Sequence, residues 1–505
     1  MKPELAISLA VSLPLLGAIG IFLAGRWPNV RETVTIVTSL AVFAVVCTLV
    51  PTVMSGARPG LSLVEVMPGL ALAFEVEPLG MLYALVASGL WIPTALYAIG
   101  YCRGHGEENQ TRFFVCFALA IFAALGIAFA RNLFTLFLFY EVLTLSTYPL
   151  VTHYGDQEAR RAGRTYLGIL LTTSILFFLF AIVWTWQLTG TLEFEPGGIL
   201  AGRVDGSAAA ILLALYAFGA GKAALMPFHR WLPAAMVAPT PVSALLHAVA
   251  IVKAGVFTVM KVVVYVFGID FLSESGASIW LMYVASFTLL ASSIVALSKD
   301  NLKARLAYST ISQLAYIVLG AALATSLGVF GGGMHMVMHA VGKITLFFCA
   351  GAIFVASHKK NVSEMDGLGR TMPFTMTAFF FGSMSIIGLP PTGGAWSKWY
   401  LALGAVEGHH AIFVAVLMIS SLLSIAYLMP VVGRAFFFAP NALSDDAGSS
   451  EPRTGEPDGV GFWSNLNEAP LLCVVPLCAT AIGCIALFFY APEVLELLQG
   501  MSLRR

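Results

Sequence analysis

Apolar residues fall along this chain in long blocks rather than in alternation. Mostly apolar runs lie near 5–24, 34–54, 79–100, 113–130, 132–152, 166–186, 208–225, 238–265, 276–297, 304–325, 326–356, 374–406, 411–436 and 469–490. A helix needs about 20 such residues to cross a bilayer, so the pattern predicts an all-α polytopic membrane protein with about fourteen transmembrane helices. Lys2 precedes the first run, but the polar break near Arg26 opens onto another run with no small-residue cleavage site. The start therefore reads as a span and not as a cleaved signal. The one long polar stretch, 437–468, is rich in Asp, Ser, Gly, Pro and Glu and reads as a solvated loop.

Composition sharpens the class. Charged residues make up 11% of the 505 and hydrophobic ones 59%, with mean hydropathy +0.87; soluble domains carry about 25% charge. The 27 basic and 27 acidic residues cancel, so nothing favours nucleic acid, and the lipid bilayer is the partner the composition demands. Seven cysteines (47, 102, 116, 349, 473, 478 and 484) contain no Cys-x-x-Cys pair, which argues against an iron–sulfur cluster, a zinc site or a redox pair. No nucleotide-binding loop is visible either. No cofactor and no catalytic chemistry of its own are expected, so redox catalysis would belong to partners.

Loops after odd-numbered helices hold Arg26, Arg31, Arg103, Arg112, Arg160, Arg161, Arg164, Arg230, Lys299, Lys303, Arg305, Lys359, Lys360, Arg370, Arg434 and Arg453. The opposite side holds Lys2, Arg58, Arg131, Arg203, Lys261, Arg504 and Arg505. This bias places both termini outside the cell membrane, on the periplasmic side of a Gram-negative inner membrane. Lys261, at a helix end, reads as a snorkelling residue. Four basic residues remain, Lys222, Lys253, Lys343 and Lys398, and each falls inside a run, as does Glu141. An ionisable group at membrane depth costs roughly 2.5–3.5 kcal/mol on insertion scales and usually marks an ion pathway. Four lysines cannot all be neutralised by one carboxylate. Burial disfavours a charged side chain and an opposite charge restores it, so such groups with water between them can pass protons. The expected pair is Glu141 with Lys222, and the expected central relay is Lys253.

Histidines extend the pattern. His335, His339 and Lys343 lie four apart and so stack on one helical face, about 6 Å of rise per step. Zinc at His335 and His339 is a weak alternative, because no Cys, Asp or Glu nearby completes a ligand set. His247 precedes Lys253 by six residues, about 120° around the helix, so the two need a bend or water to communicate. Prolines mark the helix breaks: Pro227 and Pro233 follow Lys222, and Pro390 and Pro391 precede Lys398. Opened backbone inside a membrane is tolerated only against protein or water. Interrupted spans seven and twelve, five apart, predict two inverted five-helix repeats, helices 4–8 and 9–13. The expected units are 1–112 (helices 1–3), 113–265 (first repeat), 266–436 (second repeat), 437–468 (polar loop) and 469–505 (helix 14 and the C-terminus).

The stretches FLFYEVLTLSTYPLV, GKAALMPFHRWLPAAMVAPTPVSALLHAVAIVKAG, SKDNLKARLAYSTISQLAYI, HMVMHAVGKITLFFCAGAIF and GLPPTGGAWSKWYL resemble the antiporter-like proton-channel family. That family includes subunits of respiratory complex I, of Mrp-type Na⁺/H⁺ antiporters and of energy-converting membrane hydrogenases. The resemblance covers about 75–435, and the HRWLP…APTPVSALLHA run is its most specific part. It implies that Glu141, Lys222, Lys253 and Lys398 are the family's glutamate and lysines of helices five, seven, eight and twelve, with His247, His335, His339 and Lys343 also at family positions. It further implies a lateral hydrated chain at mid-membrane linking two half-channels, with protons moving as Glu–Lys pairing changes. Ala234 departs from the charged residue many relatives carry after HRWLP, and Ala395 from a common Phe; neither removes a relay group. Lysine at 398 and the wording around PPTGGAWSKWYLALGA look closest to Mrp D-type and hydrogenase-type subunits. The chain ends within about 15 residues of the last run, so the long lateral helix of the longest members is not expected. The resemblance implies a proton-translocating subunit of a multisubunit cation/proton antiporter, its partners being other membrane subunits, protons, and Na⁺ carried by those subunits. The alternative is a proton-pumping membrane subunit of a redox-driven complex, of hydrogenase or complex I type.

Overall fold

The computed structural model describes residues 1–439 and 466–501, the side chains of Leu246 and His247 excepted. Most of the polar stretch expected at 437–468 therefore lies outside the described residues. The chain opens with α1 (Pro3–Leu23) and α2 (Pro28–Met54). Each begins on a proline, whose missing N–H costs nothing in a first turn. A hairpin follows, β1 (Gly60–Met67) pairing antiparallel with β2 (Leu70–Glu75). The expectation of an all-α chain is corrected at this point. GLSLVEVM is rich in β-branched and leucine residues, too short to span, and reverses at Pro68-Gly69, where Gly69 supplies φ +79°.

Next come α3 (Pro78–His105), α4 (Gln110–Ala128), α5 (Leu133–Val151) and α6 (Gln157–Thr189), the last running through a π-helical stretch at Ser174–Leu179. Side-chain oxygens of Glu77 and Asn132 accept the free N–H groups that begin α3 and α5. The seventh and eighth runs are not simple helices. α7 (Gly206–Gly219) stops after 14 residues in a 3-10 turn, Gly221–Ala223. Short turns then lead through Thr240–Ala244 and a π-helical turn, Leu245–Val249, into α8 (Ile251–Lys261). Beyond a second π-helical turn the chain bends by 81° into Ile269–Ser275.

The second half holds α9 (Ile279–Ser298), α10 (Leu302–Ala322) and α11 (Ser326–Ser357). The twelfth run is split into α12a (Pro373–Ile387) and α12b (Gly394–Glu407). α13 (Ile412–Phe437), α14 (Leu471–Phe489) and α15 (Ala491–Gln499) complete the described chain. α11, 32 residues long, packs on α3, α10, α12a, α12b and α14, so its side chains meet both halves. Among the described residues ten helices are long and apolar enough to cross a membrane, or eleven with the bent pair. The expected fourteen are not all continuous helices: α7 is short, α8 bends and α12 is broken. α10 has the length, but Ser309, Thr310, Ser312 and Gln313 make it more polar.

Lys261 corrects a second expectation. It does not snorkel: it is 1% exposed. Its Nζ lies 3.5 Å from Glu77 Oε1 and donates to the Ala130 carbonyl at 2.7 Å. Glu77 also accepts from Tyr265 O–H at 2.8 Å and from the Leu79 and Gly80 N–H groups at 2.7 and 2.8 Å. The loop carrying Phe194, whose ring lies 4.6 Å from the ammonium, covers the helix end and closes the route to water. One buried ion pair thus ties α3, the α4–α5 turn and α8 together. Removing one partner of such a pair costs roughly 3–5 kcal/mol. Lys261→Met is therefore expected to lower the unfolding temperature of the detergent-solubilised protein clearly, followed by tryptophan fluorescence; an unchanged midpoint would show that the pair contributes nothing.

Candidate functional site

Local backbone decides what each of the four lysines expected at membrane depth meets. Lys222 sits on the 3-10 turn that ends α7 and is fully buried. That turn presses against α8 at Gly255, where a Cβ would lie 2.1 Å from the Ala223 nitrogen and 2.3 Å from the Lys222 carbonyl carbon. Only glycine permits the approach that brings Lys222 beside the helix carrying Lys253. Lys222 Nζ donates to the Tyr140 carbonyl at 2.9 Å and to Thr144 Oγ1 at 2.7 Å, and lies 3.1 Å from the centre of the Tyr140 ring.

The expected Glu141–Lys222 ion pair is not formed. Glu141 is half-buried, and its carboxylate oxygens are shielded without a hydrogen-bond partner among the described residues. The reason is helical geometry. Tyr140 and Thr144 are four apart and share a face of α5, whereas Glu141 is turned about 100° from Tyr140. Glu141 is still near enough to attract the ammonium electrostatically.

The centre of the site joins the two halves of the chain. Lys253 on α8 and His339 on α11 are 0% and 1% exposed, and Lys253 Nζ lies 2.6 Å from His339 Nδ1. His335 stacks on His339 with ring centres 6.0 Å apart and planes 5° apart, as their spacing of four dictates. His335 Nδ1 meets Ser397 Oγ at 2.9 Å and its Nε2 meets Gln313 Oε1 at 3.1 Å. The His247 side chain lies outside the described residues, and its backbone falls in the π-helical turn before Lys253.

Lys343, the third member of the α11 face, is turned toward α10. Its Nζ donates to Ser309 Oγ at 2.7 Å and to the Leu306 carbonyl at 3.3 Å. Lys398 is half-buried on α12b. Its Nζ donates to the Ile387 carbonyl at 2.9 Å and to Ser421 Oγ at 3.0 Å, and lies 4.6 Å from the Tyr316 ring centre. Tyr316 in turn stacks on His335 at 5.2 Å. The break that exposes the Ile387 carbonyl includes Pro390 and Pro391 and turns at Gly388, φ +89°. Pro227 and Pro233 lie in the segment between the Lys222 turn and Thr240.

Lys253, His339, His335, Tyr316 and Lys398 thus form one run of contacts, with Lys222 packed against its first member through Gly255. Protonated lysine can only donate and neutral histidine offers one donor and one acceptor nitrogen, so the Lys253–His339 contact can hold a proton on either partner.

Reading the residues one at a time missed two other groups. The Lys261–Glu77–Tyr265 cluster was hidden because Glu77 opens a helix and looks like an ordinary cap. The second is Glu107, 8% exposed in the α3–α4 loop. It faces His105 Nδ1 at 3.0 Å, Tyr154 Oη at 2.9 Å and His153 Nε2 at 3.6 Å. Burial would raise the Glu107 carboxyl, but its contacts with His153, Tyr154 and His105 outweigh that and hold it below the usual glutamate value. The HGEE sequence gave a hint of this cluster, but His153 and Tyr154 come from the far end of α5. Beside it opens a cavity of about 480 Å³, lined by Tyr101, Tyr154, Thr240 and Lys303 among others.

The family described as "NADH:quinone oxidoreductase/Mrp antiporter, TM" matches residues 130–424. NADH-quinone oxidoreductase subunit N of Desulforudis audaxviator is 32% identical over 440 residues, 85% of this chain and 84% of that protein. Hydrogenase-4 component B of Escherichia coli is 29% identical over 409 residues, 76% of this chain. Several of these relatives are longer: the chain spans 60% of the hydrogenase component and 49% of the NAD(P)H-quinone oxidoreductase chain 5 of Synechocystis. Among solved structures, a chain of the Mrp complex of Dietzia sp. superposes with a TM-score of 0.85 at 24% identity, over 100% of this chain and 97% of that one; this likeness concerns the fold. The chain therefore belongs to the NADH:quinone oxidoreductase/Mrp antiporter transmembrane family, as an antiporter-like, proton-translocating, multi-pass membrane subunit.

Proposed function

We propose that this chain is the Mrp D-like proton-translocating subunit of a multisubunit cation/proton antiporter of a prokaryotic inner membrane. Protons move laterally through Glu141, Lys222, His247, Lys253, His339, His335, Lys343 and Lys398, and cations such as Na⁺ cross through partner subunits. The observation that carries the reading is the 2.6 Å contact between Lys253 and His339. It bridges the two expected five-helix units, 113–265 and 266–436, inside an apolar core. A helix bundle held only by packing has no use for an ammonium and an imidazole there. Each remaining lysine has only neutral oxygens or a ring as direct partners, and no carboxylate fixes its charge by an ion pair among the described residues. Lysine at 398, as in Mrp D-type and hydrogenase-type subunits, supports the D-like reading.

A second reading, a proton-pumping subunit of a redox-driven complex, is favoured by the 84% coverage of an NADH-quinone oxidoreductase subunit N. Purifying the tagged chain from its native membranes separates the two. Small antiporter subunits co-purify under the first reading, and hydrogenase or quinone-reductase subunits under the second.

The relay has its own test. Without the Lys253 amine, a proton must cross its position as an unpartnered charge, a penalty of about 2.5–3.5 kcal/mol, which is on the order of 100-fold in rate. Lys253→Ala in the assembled complex is expected to reduce proton flux in membrane vesicles by that order; wild-type flux in an assembled variant would end the relay reading. Orientation is tested separately. A cysteine placed at Lys2 is expected to react with an impermeant maleimide from the outer face of spheroplasts. Reaction only in inverted vesicles would reverse the assignment.

A further inference from the structure

α10 and α13 carry hydroxyls at helical spacing: Ser309, Ser312 and Tyr316 on one, Ser420, Ser424 and Tyr427 on the other. All six are fully buried. A serine or threonine within a helix can satisfy itself on the carbonyl one turn back, so burial alone asks nothing further of these side chains. These hydroxyls nevertheless meet one another across the helix boundary; one end meets Lys343 directly, and the other reaches Lys398 through half-buried Ser421.

At one end Lys343 Nζ donates to Ser309 Oγ at 2.7 Å. Ser309 Oγ shares a hydrogen bond with Tyr427 Oη at 2.9 Å, and Tyr427 Oη shares another with Ser424 Oγ at 3.0 Å. At the other end Lys398 Nζ donates to Ser421 Oγ at 3.0 Å. The Tyr316 hydroxyl lies against Ser421 and Ser420, and Ser420 Oγ is 3.4 Å from both Ser293 and Ser312. The two runs approach at one turn of α13, where Ser424 Oγ donates to the Ser420 carbonyl at 2.9 Å. A single water between the two serine hydroxyls would complete the series, and that site offers the two or more polar partners a buried water needs.

We infer that this hydroxyl ladder is a second proton branch from Lys343 to Lys398, parallel to the His339–His335 line. A hydroxyl both donates and accepts, so a series of them passes a proton by each oxygen taking one hydrogen and giving up another, with no net change in any group. The ladder gives Lys343 a route to Lys398 through α10 and α13. Arg305 closes the far end. Its guanidinium donates to the Tyr427 carbonyl at 3.0 Å and to the Lys299 carbonyl at 2.7 Å. A guanidinium does not deprotonate, and its fixed positive charge opposes loss of a proton toward the α9–α10 loop. The inference rests on the proton-translocating reading above.

The rival role is interhelical glue, which would affect assembly and not flux. The test is proton flux through the native complex in membrane vesicles, per assembled complex. Variants are Tyr427→Phe, Ser424→Ala and Ser424→Thr, each alone and with His335→Asn. For parallel branches, Tyr427→Phe and Ser424→Ala each lower flux severalfold, the combination with His335→Asn abolishes it, and Ser424→Thr, which keeps the hydroxyl, restores it. If Tyr427→Phe does not assemble, the Ser424 pair carries the same comparison. Wild-type flux in Tyr427→Phe and Ser424→Ala, with no added loss in the His335→Asn background, overturns the ladder. Lys398→Ala separates the two levels. Lost flux there with an inert ladder leaves the relay standing, whereas full flux there overturns the relay and the ladder together.

Discussion

An ammonium group inside a bilayer must find oxygen or an aromatic face, and much of this architecture follows from that demand. Lys222 finds the Tyr140 carbonyl and ring; Lys343 finds the Leu306 carbonyl; Lys398 finds the Ile387 carbonyl and the Tyr316 ring. Carbonyls within a regular helix are already engaged and offer at most a second lone pair. The Ile387 carbonyl, at the break between α12a and α12b, is free of a helical partner. At Lys398 the helix break thus supplies the ammonium with an oxygen that a regular helix would keep engaged.

The kind of partner separates two classes of buried lysine. Lys261 faces the Glu77 carboxylate, which Tyr265 and two backbone N–H groups also hold. That carboxylate is its direct ion-pair partner, and the group acts as a clamp among α3, the α4–α5 turn and α8. The other four have neutral direct partners, among which a proton can shift without breaking an ion pair. A clamp and a relay can be built from the same side chain, and the counter-charge distinguishes them. The Lys253–His339 contact is the most exacting member of the second class, because its partner is itself a titratable side chain.

Close approach is the second constraint. The Lys222 turn reaches α8 only because residue 255 is glycine. α11 gathers His335, His339 and Lys343 on one side, yet they turn to different neighbours: His339 to α8, His335 to α12b and α10, and Lys343 to α10 alone. One helical stripe therefore faces several neighbours. The high structural likeness to an Mrp-complex chain over the whole length agrees with a fold in which packing, rather than loops, sets these positions.

The sequence by itself determined the membrane class, most helix positions, the rarity of charge at depth and the stacked face of α11. These depend on hydropathy and on a period of 3.6 residues, both local properties. The alternating segment at 60–75 also carried its hairpin locally, but long apolar runs on either side masked it. Tertiary structure alone decided the partners. Whether Lys222 meets Glu141 or the adjoining Tyr140–Thr144 face of α5 depends on how a 3-10 turn lands on another helix. Whether Lys261 reaches water depends on a loop some 65 residues earlier folding over it. Which serines touch depends on the rotation of α10 against α13. Such contacts join residues far apart in the chain, and a one-dimensional pattern holds the chemistry of each side chain without the distance to the next.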